Sequence, residues 1–334
     1  MTQSFNALVV NKQEDQFTVN INSLTFDDLP QGEVLIRVHY SGVNYKDSLA
    51  TIPNGNIVHT YPFVPGIDLA GVVVSSEDDR FQAGDEVIAT SYEIGVSHFG
   101  GYSEYARISA DWIVPLPNGI SLKEAMIIGT AGFTAALSIQ RLEENKVSPD
   151  KGKVLVTGAT GGVGSFAVAI LSKLGYEVEA STGKESEHEY LKKIGATTIV
   201  SRTDVYDGEI KSLDKQKWAA AIDPVGGEQL AALLSQLQYG GAVAVSGLTG
   251  GVKIPTTVIP FILRGINLLG IDSVYCPMDT RLTVWNRLAT DFKLANLTEL
   301  IQQEVTLEQL PGMLPTLLKG QARGRIIVKL VTED

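Results

Sequence analysis

The stretch Val154-Leu155-Val156-Thr157-Gly158-Ala159-Thr160-Gly161-Gly162-Val163-Gly164 decides the fold of this chain. An apolar run enters a glycine-dense turn, and the turn opens directly into a helical pattern. Glycines at 161, 162 and 164 let backbone N–H groups approach a pyrophosphate, and the helix that follows offers its positive N-terminal end to the same anion. Thr160, Gly161, Gly162 and Val163 are therefore candidate contacts for a dinucleotide. Taken alone, the letters match the G-x-G-x-x-G fingerprint imperfectly, because Ala159 stands at the first glycine position. Context supplies the rest. Phe166, Val168, Ile170, Leu171 and Leu174 give a helix face, Gly175 can end the helix, and residues 176–181 read as a second strand, completing a βαβ unit.

The end of that second strand chooses between coenzymes. An NAD-type site places a carboxylate there to accept hydrogen bonds from the ribose 2′-hydroxyl. Here the chain runs Ser181-Thr182-Gly183-Lys184. A carboxylate would repel a 2′-phosphate, whereas two hydroxyls and a lysine bind it, and Arg202 after the next strand adds a planar donor fork. NADPH is the expected cofactor, held by Ser181, Thr182, Lys184 and Arg202. Two readings stay open: a two-residue slip in the strand end would make Glu179 the ribose reader, and Lys184 and Arg202 are also ordinary residues of a solvated surface.

Strands and helices go on alternating beyond this unit. Residues 197–201, 219–223 and 241–246 are candidate strands and 230–237 a helical stretch, which predicts a parallel sheet. The loops 223–227 and 246–251 then fall at strand C-terminal ends, the edge at which open α/β sheets bind ligands, and Leu248 lies in the second.

At 334 residues the chain exceeds a single typical core, so two domains are expected. Before residue 125 the texture changes to short alternating runs such as 32–38 and 84–89, punctuated by glycine and proline, which predicts a β-rich first domain. Near the C terminus, 282–292 and 307–318 read as helices and 324–330 as a strand that returns to it. A formal net charge of −11 argues against a nucleic-acid partner. The N terminus shows no basic start followed by an apolar core, and no uninterrupted apolar run reads as long enough to span a bilayer, so the expected location is cytoplasmic. Cys276 is the one cysteine, which excludes an internal disulfide and any multi-thiolate metal site. The histidines, at 39, 59, 98 and 188, offer no close ligand pair, and no metal is expected.

Three further stretches carry a resemblance: Tyr40-Ser41-Gly42-Val43-Asn44-Tyr45-Lys46-Asp47, Pro65-Gly66-Ile67-Asp68-Leu69-Ala70-Gly71 and Gly129-Thr130-Ala131-Gly132-Phe133-Thr134-Ala135. With the glycine turn they resemble the zinc-independent medium-chain dehydrogenase/reductases, in particular the YhdH/YhfP type of quinone oxidoreductase, whose close relatives include acrylyl-CoA reductases. Asp272-Ser273-Val274-Tyr275-Cys276 strengthens that subgroup. The similarity spans essentially the whole chain. In zinc-dependent relatives the first stretch carries a cysteine ligand and the second a Gly-His-Glu segment; Asn44 to Asp47 and Gly66-Ile67-Asp68 stand there instead. The resemblance implies an α/β protein with a GroES-like catalytic domain over 1–125 and 275–334 and a Rossmann NADPH-binding domain over 126–274. It also implies a homodimer joined through strands around 266–276, although the apolar run Ile266, Leu268, Leu269 and Ile271 is equally consistent with burial inside one chain.

The activity so implied is hydride transfer from NADPH to an activated double bond of an enone, an enoyl thioester or a quinone. Without a metal, a preorganised donor must stabilise the charge that develops on the carbonyl oxygen, and the α-carbon must receive a proton. Tyr45 is the candidate to sit at the nicotinamide and supply or organise that proton, Asn44 to contribute an amide near the substrate, and Asp47 to orient both. The plain alternative is that Asn44 caps a short helix, Tyr45 packs in a cleft and Asp47 solvates a turn. Asp68 is explained by a structural role. Thr130 and Thr134, at i and i+4, share a helix face that can aim at the cofactor, or bond their own backbone. Ile271, Ser273 and Arg323 complete the expected cofactor set by resemblance, Arg323 being preferred over Arg325. A nucleotide-binding regulatory protein without turnover is the reading from a different class.

Overall fold

The computed structural model describes residues 4–14 and 16–331. In chain order the elements are β1 (Ser4–Gln13), β2 (Gln16–Thr25), β3 (Val34–Val43), α1 (Tyr45–Leu49), β4 (Asp68–Ser76), β5 (Glu86–Thr90), β6 (Tyr105–Ile108), β7 (Ile113–Pro115) and α2 (Leu122–Glu144). There follow β8 (Val154–Val156), α3 (Gly162–Lys173), β9 (Val178–Ser181), α4 (His188–Lys193), β10 (Thr198–Val200), α5 (Arg202–Val205), β11 (Trp218–Asp223), α6 (Gly227–Gln236) and β12 (Leu237–Val245). The chain closes with α7 (Ile259–Arg264), β13 (Asn267–Gly270), α8 (Met278–Ala289), β14 (Ile301–Thr306), α9 (Leu310–Leu318) and β15 (Arg325–Lys329). They fall into two compact units, one of residues 1–130, 274–282 and 301–334, the other of 131–273 and 283–300.

The first unit is the β-rich one. β1 and β2 pair antiparallel, and a second sheet runs β14-β15-β3-β4-β5-β7, with β6 also on β3. Along β3, Val34, Ile36 and Val38 are buried while Arg37 between them is exposed, the period-2 pattern of a strand with one face on a core. Those side chains join Leu8, Val10, Leu69, Val87, Ile326 and Val328 in one cluster. The last strand, β15, pairs antiparallel with β3, as the returning tail predicts.

The second unit is a six-stranded sheet in the order β10-β9-β8-β11-β12-β13, with every pairing parallel. This is the doubly wound order, in which the direction of winding reverses between β8 and β11. β8 and β11 are buried along their whole length, as central strands covered on both faces must be. The turn after β8 therefore lies at the switch point where such sheets bind ligands. Gly175, with φ +83°, follows the end of α3 as the helix pattern predicts.

The expected domain limits shift at three places, the smallest being Val274, which belongs to the first unit. Residues 283–300, placed by sequence with the first domain, belong to the second unit: Trp285 packs on Phe133 with ring centroids 6.0 Å apart, and Arg287 pairs with Glu143 at 2.6 Å. Residues 126–130 belong to the first, because α2 is broken at Gly129, whose φ of 50° and ψ of −160° are not helical. α2 also corrects the reading that no segment is long and apolar enough to cross a membrane. By length and composition it is, but 83% of its most apolar window is buried inside the protein, as in a core helix.

Candidate functional site

The phosphate cradle is built by contact between α3 and the turn before it. A Cβ on Gly164 would lie 2.7 Å from Ala159 Cα and closer still to the Gly158 carbonyl oxygen, so only glycine lets the helix start against the turn. A Cβ on Gly161 would meet nothing nearer than 3.4 Å. Its freedom is spent on the open side, where a ligand approaches. No side chain caps α3 at Gly161, which leaves the first N–H groups of a twelve-residue helix available to an anion. Across the switch point the loop after β11 is pinned by Asp223, which accepts from Gly226 N at 2.8 Å and from the Thr157 hydroxyl. Ser181 Oγ and Ser246 Oγ, near the C-terminal ends of β9 and β12, are buried without a hydrogen-bond partner among the described residues. Buried hydroxyls at that edge are groups that a bound ligand can satisfy.

The end of β9 decides the coenzyme question. β9 finishes at Ser181, and the slip that would have brought Glu179 to the strand end does not occur. The Glu179 carboxylate accepts from Lys153 Nζ at 2.7 Å and Trp218 Nε1 at 2.8 Å, beside the starts of β8 and β11 and away from the ligand edge. Thr182 Oγ1 accepts from Lys184 N at 3.0 Å, and the Arg202 guanidinium packs over Gly183, where an added Cβ would lie 3.0 Å from Nε. Burial, with Arg202 adding a like charge, lowers the Lys184 ammonium pKa from its ordinary value. Two cations set together beside two hydroxyls form a site suited to a dianion such as a phosphate monoester.

In the first unit, Asn44 is the residue before α1, and its amide is locked from both ends. Arg325 Nη1 donates to Oδ1 at 2.9 Å, and Nδ2 donates to Asp68 Oδ2 at 2.8 Å, leaving one N–H of the amide for another acceptor. Tyr45 opens α1 with 47% of its surface exposed, and its hydroxyl makes no hydrogen bond among the described residues. Asp47 is fully buried and accepts from Asn44 N at 2.8 Å and Ile67 N at 2.9 Å. Through those two bonds it fixes the strand-to-helix turn, and it has no exposed surface. Burial, reinforced by the neighbouring Asp68, raises its pKa from 3.8 to about 6.

Asp68 is the hub of this unit. Besides Asn44 it accepts from Thr130 N at 3.0 Å and Thr130 Oγ1 at 2.5 Å, and it pairs with Arg325 Nη2 at 3.4 Å. The Thr130 hydroxyl thus lies on Asp68 and 3.2 Å from Ser91 Oγ, and the Thr134 hydroxyl donates to Ser273 Oγ at 2.9 Å in the second unit. The structure so brings together two of the expected cofactor residues, Thr134 and Ser273. Leu248 is 63% exposed on the loop after β12, and Ile271 N donates to Val245 O at 3.0 Å just beyond β13. Arg323 precedes β15, its backbone N–H on Gln302 Oε1. The arginine that sequence reasoning set aside, Arg325, is the buried one. Arg281 was missed altogether: fully buried, it donates to Thr90 O at 3.2 Å, Thr90 Oγ1 at 3.0 Å and Val274 O at 3.1 Å. The helical stretch read from the sequence began at 282, one residue after it, so nothing there marked Arg281.

Among the described residues no three His, Cys, Asp or Glu side chains converge as metal ligands. Where zinc-dependent proteins of this pattern hold ligands, Asn44 is amide-bonded at both ends and Asp68 is saturated by a guanidinium, an amide and a threonine. This donor set does not fit zinc.

Two family models match the chain: the alcohol dehydrogenase GroES-like domain over residues 30–118 and the zinc-binding dehydrogenase domain over 162–290. The chain is 59% identical over 330 residues to the putative quinone oxidoreductase YhfP of Bacillus subtilis, covering 99% of this chain and 100% of that one. It is 49% identical over 326 residues to the acrylyl-CoA reductase AcuI of Ruegeria pomeroyi, covering 97% and 98%. Among solved structures it is similar to YhfP of B. subtilis with NAD bound, at a TM-score of 0.97 over 98% of this chain and 100% of that one. It is likewise similar to the YhdH oxidoreductase of Salmonella enterica in complex with NADP, with a TM-score of 0.95 and 47% identity over 98% and 100%.

The raised value of Asp47 sets a pH dependence. The folded protein holds this proton more tightly than the unfolded chain, so the group favours folding below its ordinary value of 3.8 and loses that contribution as pH rises through about 6. Asp47→Asn cannot titrate. In urea unfolding the stability gap between the native protein and the variant should widen by about 1 kcal/mol when pH is lowered from 7 to 5; a gap that is flat or narrows contradicts the assignment.

Proposed function

Since the chain belongs to the medium-chain dehydrogenase/reductase superfamily, in the group that includes YhfP and the AcuI acrylyl-CoA reductases, we propose that it is an NADPH-dependent reductase of activated C=C bonds in α,β-unsaturated carbonyl compounds or acyl-CoA thioesters. The observation that carries this reading is the cationic pair of Lys184 and Arg202 beside Ser181 and Thr182, at the ligand edge of a sheet whose cradle fits a pyrophosphate. The NADP and NADPH complexes of the YhdH proteins support it. Quinone reduction by the same machinery is the second reading, favoured by the likeness to YhfP.

When bound, NADPH supplies the hydride. The second unit's residues bind and orient: the amides at the start of α3 hold the pyrophosphate, while Lys184 and Arg202 hold the 2′-phosphate. Leu248, Ile271, Thr134 and Ser273 are assigned to the remainder of the coenzyme, and Arg323 and Thr130 are kept as weaker candidates. As the β-carbon accepts a hydride, charge gathers on the carbonyl oxygen. The remaining N–H of Asn44 is assigned to that oxygen, its direction fixed by Arg325 and Asp68. Tyr45 gives its hydroxyl proton to the α-carbon and regains one from solvent, leaving a saturated product and oxidised coenzyme. Asp47 holds the turn that presents both.

A homodimer is part of this reading. β13 is an edge strand of the sheet among the described residues, and the helix before it exposes Ile262 and Leu263 at 70% and 60%. The cytoplasm is the location that goes with it.

Steady-state NADPH oxidation should be seen with acrylyl-CoA or crotonyl-CoA and short enones; inactivity on every enoyl thioester and simple enone, with turnover confined to naphthoquinones, would leave the second reading. Tyr45→Phe should lower kcat about a hundredfold or more with the Michaelis constant for NADPH unchanged, and full activity in that variant rejects the proton role. The double variant Lys184→Ala with Arg202→Ala should raise that constant for NADPH about ten- to a hundredfold and leave NADH untouched; equal effects on both coenzymes would dismiss the 2′-phosphate assignment. Sedimentation velocity should give twice the chain mass, and a monomer at micromolar concentration removes the dimer.

A further inference from the structure

Arg281 on α8 is fully buried, and a guanidinium leaves water only where its donor fork is put to use. Here it grips the end of β5. Its Nη1 donates to both the carbonyl and the hydroxyl oxygen of Thr90, at 3.2 and 3.0 Å, and Nη2 donates to the Val274 carbonyl at 3.1 Å. The guanidinium carbon also lies 4.5 Å from the centre of the Tyr92 ring. Tyr92 in turn donates through its backbone N–H to Val274 O at 3.2 Å and through its hydroxyl to Cys276 O at 3.2 Å. Thr90 and Tyr92 are thus clamped to the segment 274–276 by backbone, side chain and ring together.

The clamp holds a conformation that the chain would not keep by itself. Ser91 and Tyr92 have φ of 67° and 49°, two consecutive left-handed residues of which neither is glycine. Such a pair is costly and persists only where its surroundings over-determine it. What it delivers lies beside Asp68. Thr90 is the cross-strand partner of Asp68 in the terminal pair of the β4–β5 ladder, the place where paired strands part most readily. At the next residue the left-handed turn sets Ser91 Oγ 3.2 Å from Thr130 Oγ1. The Thr130 hydroxyl proton already lies on Asp68, so Ser91 is the donor of that bond and Thr130 its acceptor. Contacts therefore run without a break from Arg281 through Thr90 and Ser91 to Thr130, to Asp68 and to Asn44 Nδ2.

We propose that Arg281 and Ser91 are positioning residues for the reduction: the clamp sets the Asp68 carboxylate, and through it the N–H of Asn44 assigned to the acceptor's carbonyl oxygen. The inference rests on the reductase reading for what that N–H does, and it extends the machinery to α8 and to the turn after β5, which that reading leaves unused. An arginine with a merely structural role would support the sheet; this one also fixes the direction of a distant amide.

Two variants separate fold from position. Arg281→Lys keeps the charge and loses the fork, whereas Ser91→Gly removes the hydroxyl and suits a left-handed φ, so that it does not endanger folding. Each should lower kcat on crotonyl-CoA or a short enone about tenfold with the Michaelis constant for NADPH unchanged, while the melting temperature of Ser91→Gly does not fall. The double variant should lose little more than either single one, because both cut the same path. Independently of turnover, the side-chain amide signals of Asn44 in proton–nitrogen correlation spectra, identified by their loss in Asn44→Asp, should shift in both variants. Should Arg281→Lys not fold, Ser91→Gly decides alone. A native kcat in Ser91→Gly, losses that multiply in the double variant, or Asn44 signals that stay where they are would each overturn the proposal. If those signals shift but the native protein reduces no enoyl thioester and no enone, the positioning assignment stands and the reductase reading falls.

Discussion

The first unit depends on a single buried charge pair. Asp68 on β4 and Arg325 on β15 face each other with almost no exposed surface, and burying two charges costs several kcal/mol each unless every remaining lone pair and proton is met. Here they are met. Arg325 also donates to the carbonyls of Val43 and Ile127 and to the Asn44 amide, and Asp68 collects Asn44 and Thr130. The pair needs room on both sides: a Cβ at Gly129 would come within 2.5 Å of Arg325 Nη2 and 2.6 Å of Asp68 Oδ2, and Gly42 is similarly close. The break in α2 is therefore the geometric condition for the ion pair, and the ion pair in turn sets the direction of the Asn44 amide.

That constraint separates what could be read in the sequence from what could not. The second unit was legible because its logic is local: an apolar run, a glycine turn and a helix pattern follow one another within about twenty residues, and the alternation of strands and helices then implies a parallel sheet. The placement of Ser181 to Lys184 at the end of β9 was legible for the same reason. The network around Asp68 was not, since Asn44, Asp68, Thr130 and Arg325 are spread over most of the chain and nothing in their spacing marks them as neighbours. The preference for Arg323 over Arg325 rested on resemblance alone, and strand alternation does not say that a guanidinium will be buried with a carboxylate to receive it.

Glu179 shows how direction along a strand outweighs mere position in sequence. It sits two residues before the strand end, close to where an acidic ribose reader belongs, yet its side chain serves Lys153 and Trp218 near the opposite end of the sheet. Its charge is neutralised there by a lysine, so the ligand edge keeps a positive character set by Lys184 and Arg202 in a chain whose overall charge is −11. Local placement of charge, not the total, governs which coenzyme the edge can receive.

Arg325 has one more consequence, in the order of biosynthesis. Each group it touches, Val43, Asn44, Asp68, Met126 and Ile127, is translated before it, and some 280 residues separate it from the first of them. Until that late arginine leaves the ribosome, Asp68 has no cation to face and the third strand has no β15 beside it. The nascent first unit therefore stays incomplete while the second is being made.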